Sequence, residues 1–399
     1  MNTVILKPKK EESLLRFHPW VFSGAVARIV LDRNYPYAEP QEGELVAVCA
    51  ADGKALGVGH WQIGSIAVRI LAFGTDRLPD TFWHDRIHAA YEMRQSLSLI
   101  RPDNNTYRLI HGEGDFLPGL IVDVYAGTAV VQAHSVGMHQ SRYAIADALK
   151  TIDGIRNIYY KSDDTLPFKA PIEGERVGWL VRNDENEEFW STENGLDFRI
   201  DWLQGQKTGF FVDQRENRAL LERYAKGRDV LNMFCYTGGF SLYAMRGGAK
   251  SVTSVDVSQK AVELVRANMQ RNFPEATNHV EKACDAFEFL TSEKNRYDLI
   301  VLDPPAFAKH RDAIRNALRG YQRLNALGIS AVRPGGLVFT FSCSQAIDKE
   351  MFRLAVFSAA AQTGRRVRII HQLHQPQDHP VNIYHPEGEY LKGLVLFVE

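Results

Sequence analysis

At 399 residues the chain is too long for one ordinary domain, and two or three are expected. A hydrophobic content of 45% with 24% charged residues is that of a soluble globular protein, and no apolar run is long enough to span a bilayer. The net charge of −1 argues neither for nor against a nucleic-acid partner, because Lys and Arg can still gather on one face.

The N-terminal MNTVILKPKKEES has neither an apolar core nor a small-residue cleavage site, so the cytoplasm is the default compartment. The four cysteines, Cys49, Cys235, Cys284 and Cys343, form no CxxC pair and no Cys/His ligand spacing. Neither a disulfide framework nor a metal site is expected. Local basic groups occur at Lys7-Pro8-Lys9-Lys10, between Lys309 and Arg323, and at Arg365-Arg366-Val367-Arg368. Each reads first as solvated surface.

Residues 1–74 read as short strands with glycine turns. GELVAVCA and KALGVGHW, joined by Asp52-Gly53, form a hairpin pattern, and SIAVRILAF follows as an alternating strand. A small β-barrel is the expectation. Residues 75–187 change character. FWHDRIHAAYEMRQSLSLI has helical spacing, YRLIHGEGDFLPGLIVDVYAGTAVVQAH reads as strands, SRYAIADALKTI as a helix and RNIYYKSD as a strand. This is a central α+β domain, with the acidic VRNDENEE (181–188) as its boundary.

From 188 to 399 strand and helix alternate. RDVLNMF, SVTSVDV, NHVEKAC, YDLIVLD and GLVFTFS read as strands, with GFSLYAMRGG and QKAVELVRANMQRN as helices between them. The pattern predicts an α/β, doubly wound, mostly parallel sheet, whose ligands sit beyond the carboxyl ends of the strands.

Polar residues at those ends carry the information. Strand one runs into NMFCYTGGFS, where Gly238 and Gly239 permit a tight turn against a ligand. The G-x-G-x-x-G that seats a pyrophosphate is absent, so the loop suits a ligand without phosphates. Strand two ends at Asp256, an acid placed to hold two ribose hydroxyls. Strand three is followed by Asp285, placed to meet an adenine edge, with Phe287 nearby. Strand four ends in LDPPAF (302–307). Glycine turn, acid, acid and DPP in register fit S-adenosylmethionine better than NAD. For each acid alone, a helix N-cap is the simpler reading. The residues expected at the cofactor are Phe234, Tyr236, Thr237, Gly238, Gly239, Asp256, Val257, Asp285, Ala286, Asp303 and Pro304.

The segment from about 190 resembles a class I methyltransferase. The whole chain resembles the bacterial large-subunit rRNA cytosine-5 methyltransferases that begin with a PUA domain. HPWVFSG (18–24), GQKTGFFVDQRENR (205–218), LNMFCYTGGFS (231–241), VDVS (255–258), LDPPAF, TFSCS (340–344) and PEGEYLKG (386–393) carry the likeness. The resemblance implies an N-terminal module that binds structured RNA, with Lys7, Lys9, Lys10 and Arg16 close to its first motif. Trp20 and Phe22 are expected to pack the barrel rather than stack on bases. It also implies that the DQREN segment closes over the cofactor, which brings in Asp213, Gln214, Arg215 and Asn217. The implied partner is 23S rRNA or a large-subunit precursor; no DNA or membrane is expected, and a homodimer is allowed.

Cys343 follows strand five, adjacent in such a sheet to strand four. Most cysteines are inert buried thiols, and Cys49, Cys235 and Cys284 are read so. The implied chemistry needs a nucleophile at Cys343, because carbon 5 of cytosine is a poor nucleophile until a thiolate adds at carbon 6. Asp303 is placed to hold the base at ring nitrogen 3. Ser342 and Ser344 are read as a polar, solvated collar around the thiol. The target base must be unstacked to enter. Many RNA cytosine-5 enzymes carry PPC where this chain has Ala306 in DPPAF, so the group that takes the carbon 5 proton is unassigned, with Asp303 or a water as candidates. Related guanine N7 methyltransferase domains resemble FSNN where this chain has FSCS. Two other readings stay open at this level: RNA methylation at another atom such as guanine N7, and a non-catalytic RNA-binding ribosome-assembly factor.

Overall fold

The computed structural model describes residues 1–166, 172–183, 189–308 and 311–399. The chain forms two compact units. The first comprises Met1–Thr192, Ile200–Phe210 and Gln377–Gly388; the second comprises Glu193–Arg199, Phe211–Pro376 and Glu389–Glu399. The acidic boundary read at 181–188 falls largely on residues outside those described, and so does Lys309 of the basic run.

The first unit holds two sheets. Six strands, β1 (Thr3–Leu6), β2 (Trp20–Phe22), β3 (Val26–Val30), β4 (Leu45–Cys49), β5 (Ala55–Trp61) and β6 (Ile66–Phe73), are ordered β2-β6-β5-β4-β1-β3. The two edge strands are consecutive in sequence, joined by the 3-10 turn Ser23–Ala25, which curls the sheet. Helix α1 (Glu12–Leu15) adds Leu14 to a core of Val4, Leu6, Val21, Val46, Val48 and Val68. The β4–β5 hairpin forms as read: Cys49 pairs with Ala55, and Gly53 at φ +90 closes the turn onto the Ala50 carbonyl.

The second sheet, β11-β10-β9-β8-β7, comprises β7 (Thr106–His111), β8 (Leu120–Tyr125), β9 (Thr128–Ala133), β10 (Asn157–Lys161) and β11 (Val177–Val181). Ala126 and Gly127 both have positive φ (48 and 90), the two-residue turn whose twist matches antiparallel strands β8 and β9. Strands β9 and β10 are parallel, so they need a crossover, supplied by α3 (Val136–Gln140) and α4 (Arg142–Leu149). Helix α2 (Phe82–Ser96) stops short of the predicted end at 100, because Ser98 turns to φ 54 and the Leu99 N–H reaches back to the Arg94 carbonyl.

Two short strands, β12 (Trp190–Glu193) and β13 (Leu196–Arg199), precede the second unit's sheet. That sheet has seven strands in the order β16-β15-β14-β17-β18-β20-β19. They are β14 (Asp229–Met233), β15 (Ser251–Asp256), β16 (His279–Ala283), β17 (Tyr297–Leu302), β18 (Val332–Ser342), β19 (Val367–Leu373) and β20 (Lys392–Val398). Strands β14 to β18 are mutually parallel, and β20 runs antiparallel between β18 and β19. Strands β19 and β20 add to the five that the sequence pattern predicts. The inner strands are buried on both faces, which is why they read as continuous apolar runs.

Alternate residues supply two cores. Leu231, Met233, Ile300, Leu302 and Val338 pack with α8 (Ala286–Ser292), α9 (Ile314–Ala331) and α10 (Lys349–Thr363). Val230, Leu299, Val301, Phe339 and Phe341 pack with α5 (Arg215–Ala225) and α6 (Gly239–Arg246). Helix α7 (Gln259–Asn272) follows β15 and is N-capped by Ser258, whose side chain accepts the Ala261 N–H. The five parallel strands therefore end side by side on one edge.

Candidate active site

The turn after β14 is conformationally unusual. Phe234, Tyr236 and Gly238 all have positive φ (57, 46 and 83), which is rare for aromatic residues. It is held from β15: Asp256 Oδ2 accepts the Tyr236 N–H at 2.9 Å, and Oδ1 accepts the Ser258 N–H at 2.9 Å. Each carboxylate oxygen keeps a further lone pair for a ligand hydroxyl. Beside it Val257 is 77% exposed, an apolar face at a strand end. Thr237 is buried, and its carbonyl accepts from Asn268 Nδ2 at 2.9 Å.

The glycines also serve packing. A Cβ on Gly238 would lie 3.1 Å from Val265 Cγ1, and one on Gly239 would lie 2.9 Å from Arg218 Cδ. Their missing side chains make room for α7 and for the buried Arg218, which pairs with Glu193 at 2.6 Å.

At the third strand end Asp285 is the N-cap of α8, accepting the Phe287 and Glu288 N–H groups with Oδ1 at 2.9 and 3.0 Å. The simpler reading thus holds for this acid, and its side chain is exposed. Ala286 is buried beneath it. Phe287 packs into the core under the Arg323 guanidinium, 5.0 Å from its ring. The Cys284 N–H bonds the Asp256 carbonyl at 2.9 Å, tying this end to the second.

The DQREN segment reaches the fourth strand end. Gln214 Nε2 donates to Asp303 Oδ1 at 3.0 Å, while Gln214 Oε1 accepts from Asn217 Nδ2 at 2.7 Å, which fixes the amide's orientation. Asp213 Oδ2 accepts the Tyr390 hydroxyl at 2.6 Å. Asp213, Gln214, Arg215 and Asn217 are all buried. Pro304 is buried behind Asp303, and the Phe211 and Tyr236 rings lie 5.1 Å apart.

Cys343 follows β18, which pairs with β17 as expected. It is partly buried, on the side of Phe341 and Leu391. The collar does not exist as read. Ser342 and Ser344 are fully buried, and both hydroxyls bond the Tyr321 hydroxyl of α9 at 2.9 Å. Side chains alternate along an extended chain, so the residues flanking Cys343 point away from it, into the core. Ser344 Oγ also accepts the Ala308 N–H at 3.3 Å, which fastens the DPPAF loop.

Lys392 lies in PEGEYLKG. On β20 it pairs with Ser342, and its Nζ donates to the Ser344 and Tyr390 carbonyls, both at 2.6 Å. Burial pulls its pKa from 10.5 down to about 8, against the opposing negative charge of Cys343, Asp348 and Glu389. Only its partnership across β18 and β20 marks it, which sequence spacing does not register. Cys235 is buried and its thiol is pushed well up by burial, in keeping with an inert role; burial also raises Cys49 and Cys284.

The RNA candidates lie in the first unit. Lys7, Lys9, Lys10 and Arg16 are all exposed; Lys7 Nζ bonds the Gly24 carbonyl at 2.9 Å, and Arg16 has only a loose contact with Glu12 at 3.9 Å. Trp20 packs as expected, against His385 and Arg69, but Phe22 is 47% exposed.

Five parallel strands ending on one edge, with β20 inserted antiparallel beyond them, make the sheet of a class I methyltransferase fold. Residues 173–389 match the S-adenosylmethionine-dependent methyltransferase family, and residues 4–73 match the PUA-like domain. Ribosomal RNA large subunit methyltransferase I of Tolumonas auensis is 39% identical over 401 residues, covering 99% of each chain. The protein of that name from Shewanella denitrificans is 40% identical over 399 residues, covering 98% of each. A Streptococcus mutans protein described as an S-adenosylmethionine-dependent methyltransferase shares the fold over 100% of both chains, with a TM-score of 0.82 at 22% identity. This chain belongs to the ribosomal RNA large subunit methyltransferase I family. It is an enzyme, and its cofactor is S-adenosylmethionine.

Proposed function

We propose that the chain methylates carbon 5 of a cytosine in 23S rRNA through a covalent adduct on Cys343. The observation that carries this reading is the half-buried Cys343 at the end of β18, the strand paired with β17, which runs into Asp303.

S-adenosylmethionine supplies an electrophilic methyl group on a sulfonium. Asp256 and Val257 would hold its ribose and adenine, with Phe234, Tyr236, Thr237, Gly238, Gly239, Asp285 and Ala286 around them. Asp213, Gln214, Arg215, Asn217 and Pro304 complete that wall. Cys343 Sγ adds to carbon 6, and the ring's electron pair then makes carbon 5 nucleophilic. Asp303, oriented by Gln214, supports protonation at ring nitrogen 3 during the addition. After methylation the carbon 5 proton leaves to a base and Sγ is expelled, which restores the ring. Lys392 joins Asp303 as a candidate for that proton, because a pKa of about 8 leaves part of its amine neutral near physiological pH. The rRNA is captured by the N-terminal sheet through Lys7, Lys9, Lys10 and Arg16. A ribosomal substrate makes the cytoplasm the compartment, and no described helix is long and apolar enough to cross a membrane.

The test is incubation with rRNA and cofactor, followed by nucleoside mass spectrometry. RNA bearing 5-fluorocytosine at the target should trap the adduct, since fluorine blocks proton loss, and the adduct should survive denaturing electrophoresis. Cys343→Ala should form none and transfer no methyl group while still binding cofactor. Methylguanosine without methylcytosine, or an equal adduct yield in Cys343→Ala, would overturn the reading.

A further inference from the structure

A cluster in the first unit has no part in this chemistry. His18 precedes β2, and His385 and Glu387 belong to the segment Gln377–Gly388 of the same unit. Their ligand-type atoms all lie within 4.8 Å of one another. His18 Nε2 is 3.7 Å from Glu387 Oε1, and His385 Nε2 is 3.7 Å from Glu387 Oε2.

His385 gives the second observation. It is 3% exposed, yet among the described residues neither ring nitrogen has a hydrogen-bond partner. Buried polar groups left without partners are costly and uncommon, so an orphaned buried imidazole aimed at a carboxylate and a second imidazole calls for a ligand. Packing against Trp20, whose ring centroid is 4.3 Å away, accounts for the ring's position but for neither nitrogen.

We infer that His18, His385 and Glu387 bind one divalent transition-metal ion, with zinc the best match to two imidazoles and a carboxylate. Zinc bonds of roughly 2.0–2.1 Å set tetrahedral ligands about 3.4 Å apart, so the 3.7 Å pairs need only a small inward shift. The two 3.7 Å distances run to different oxygens of Glu387, whose half-exposed side chain has room to turn toward both imidazoles. The same exposure leaves the fourth position to water.

The surroundings suit the ion. The Arg69 charge is paired with Glu113 at 3.1 Å, so Glu387 leaves the cluster negative. His18 Nδ1 lies 3.2 Å from the Trp20 N–H and 3.4 Å from its carbonyl, so the ring has a backbone partner in either tautomer, including the one that frees Nε2. The ligands stand near opposite ends of the sequence, beyond the reach of any spacing motif. The ion would clasp the 377–388 segment to the N-terminal sheet and add its binding free energy to the stability of the unit.

The full-length protein, stripped with chelator, is titrated with zinc against a chromophoric chelator, and with cobalt for its tetrahedral absorption. His84 and His88 stack on α2 at 4.1 Å and form a surface pair that also attracts metal, so the titration uses a His84→Ala background. One equivalent should bind, raise the thermal midpoint, and quench Trp20 emission when the ion is cobalt. Glu387→Gln, at a half-exposed position that tolerates the change, should weaken binding at least about tenfold and abolish the quenching, as should His18→Gln. No stoichiometric binding at micromolar zinc, or binding unchanged in Glu387→Gln and His18→Gln, would overturn the assignment.

Discussion

Gln214 Nε2 donates to Asp303 Oδ1 at 3.0 Å, and this bond joins the DQREN turn to the DPP loop. Asn217 fixes the Gln214 amide from behind, so the carboxylate is presented in one orientation. A side chain that acts by positioning another should affect turnover more than binding.

Gln214→Leu keeps the volume and removes both hydrogen bonds. Turnover should fall on the order of tenfold to a hundredfold, with the KM for RNA little changed. Steady-state kinetics with labelled cofactor separates kcat from KM; equal loss of both would show that Gln214 only holds the fold.

Asp256 already satisfies the Tyr236 and Ser258 N–H groups, so its removal disturbs the β14 turn as well as the ligand. Asp256→Ala should weaken S-adenosylmethionine binding by about tenfold to a hundredfold. Asp285→Asn preserves the N-cap and should lose less. Calorimetry with the demethylated cofactor product orders the two, and the reverse order would move the ribose contact to Asp285.

Lys392 ties pH to stability. Its pKa is pulled from 10.5 to about 8, first by burial; Cys343, Asp348 and Glu389 oppose the shift and Lys349 adds to it. Between pH 8 and 10.5 the unfolded chain binds more protons at this site than the folded chain. Stability from this group therefore rises with pH through that window, and below it the folded state carries the burial cost. Relative to Lys392→Met, the wild type should gain up to about 3 kcal/mol across the window. Urea midpoints of both proteins at the two ends measure it; parallel pH profiles would contradict the shift. The same variant should slow methyl transfer if Lys392 takes the carbon 5 proton.

The RNA proposal is better tested by charge removal than by deleting residues 1–74. Trp20 Nε1 bonds Glu113 at 2.9 Å and Gly137 packs on His60, so deletion would tear the first unit open. Replacing Lys7, Lys9, Lys10 and Arg16 together by Gln should weaken RNA binding and lower the salt slope by up to about 3, with cofactor affinity unchanged. An unchanged slope in filter-binding assays would place the RNA surface elsewhere.

The sequence by itself determined the local devices: the Asp52-Gly53 hairpin, the strand–helix alternation after residue 228, and the acids and the DPP that end the strands. These are set by dihedral preference and by the period of apolar residues, both written in neighbouring positions. Tertiary structure alone decided which neighbours face each other. Ser342 and Ser344 turn to Tyr321 while Cys343 faces the other side, because the pleat reverses at every residue. The Gln214–Asp303 bond, the reach of Lys392 to the Ser344 carbonyl, and the gathering of His18 with His385 and Glu387 depend on strands and segments far apart in the chain becoming adjacent. Spacing along one strand carries no record of the strand placed beside it.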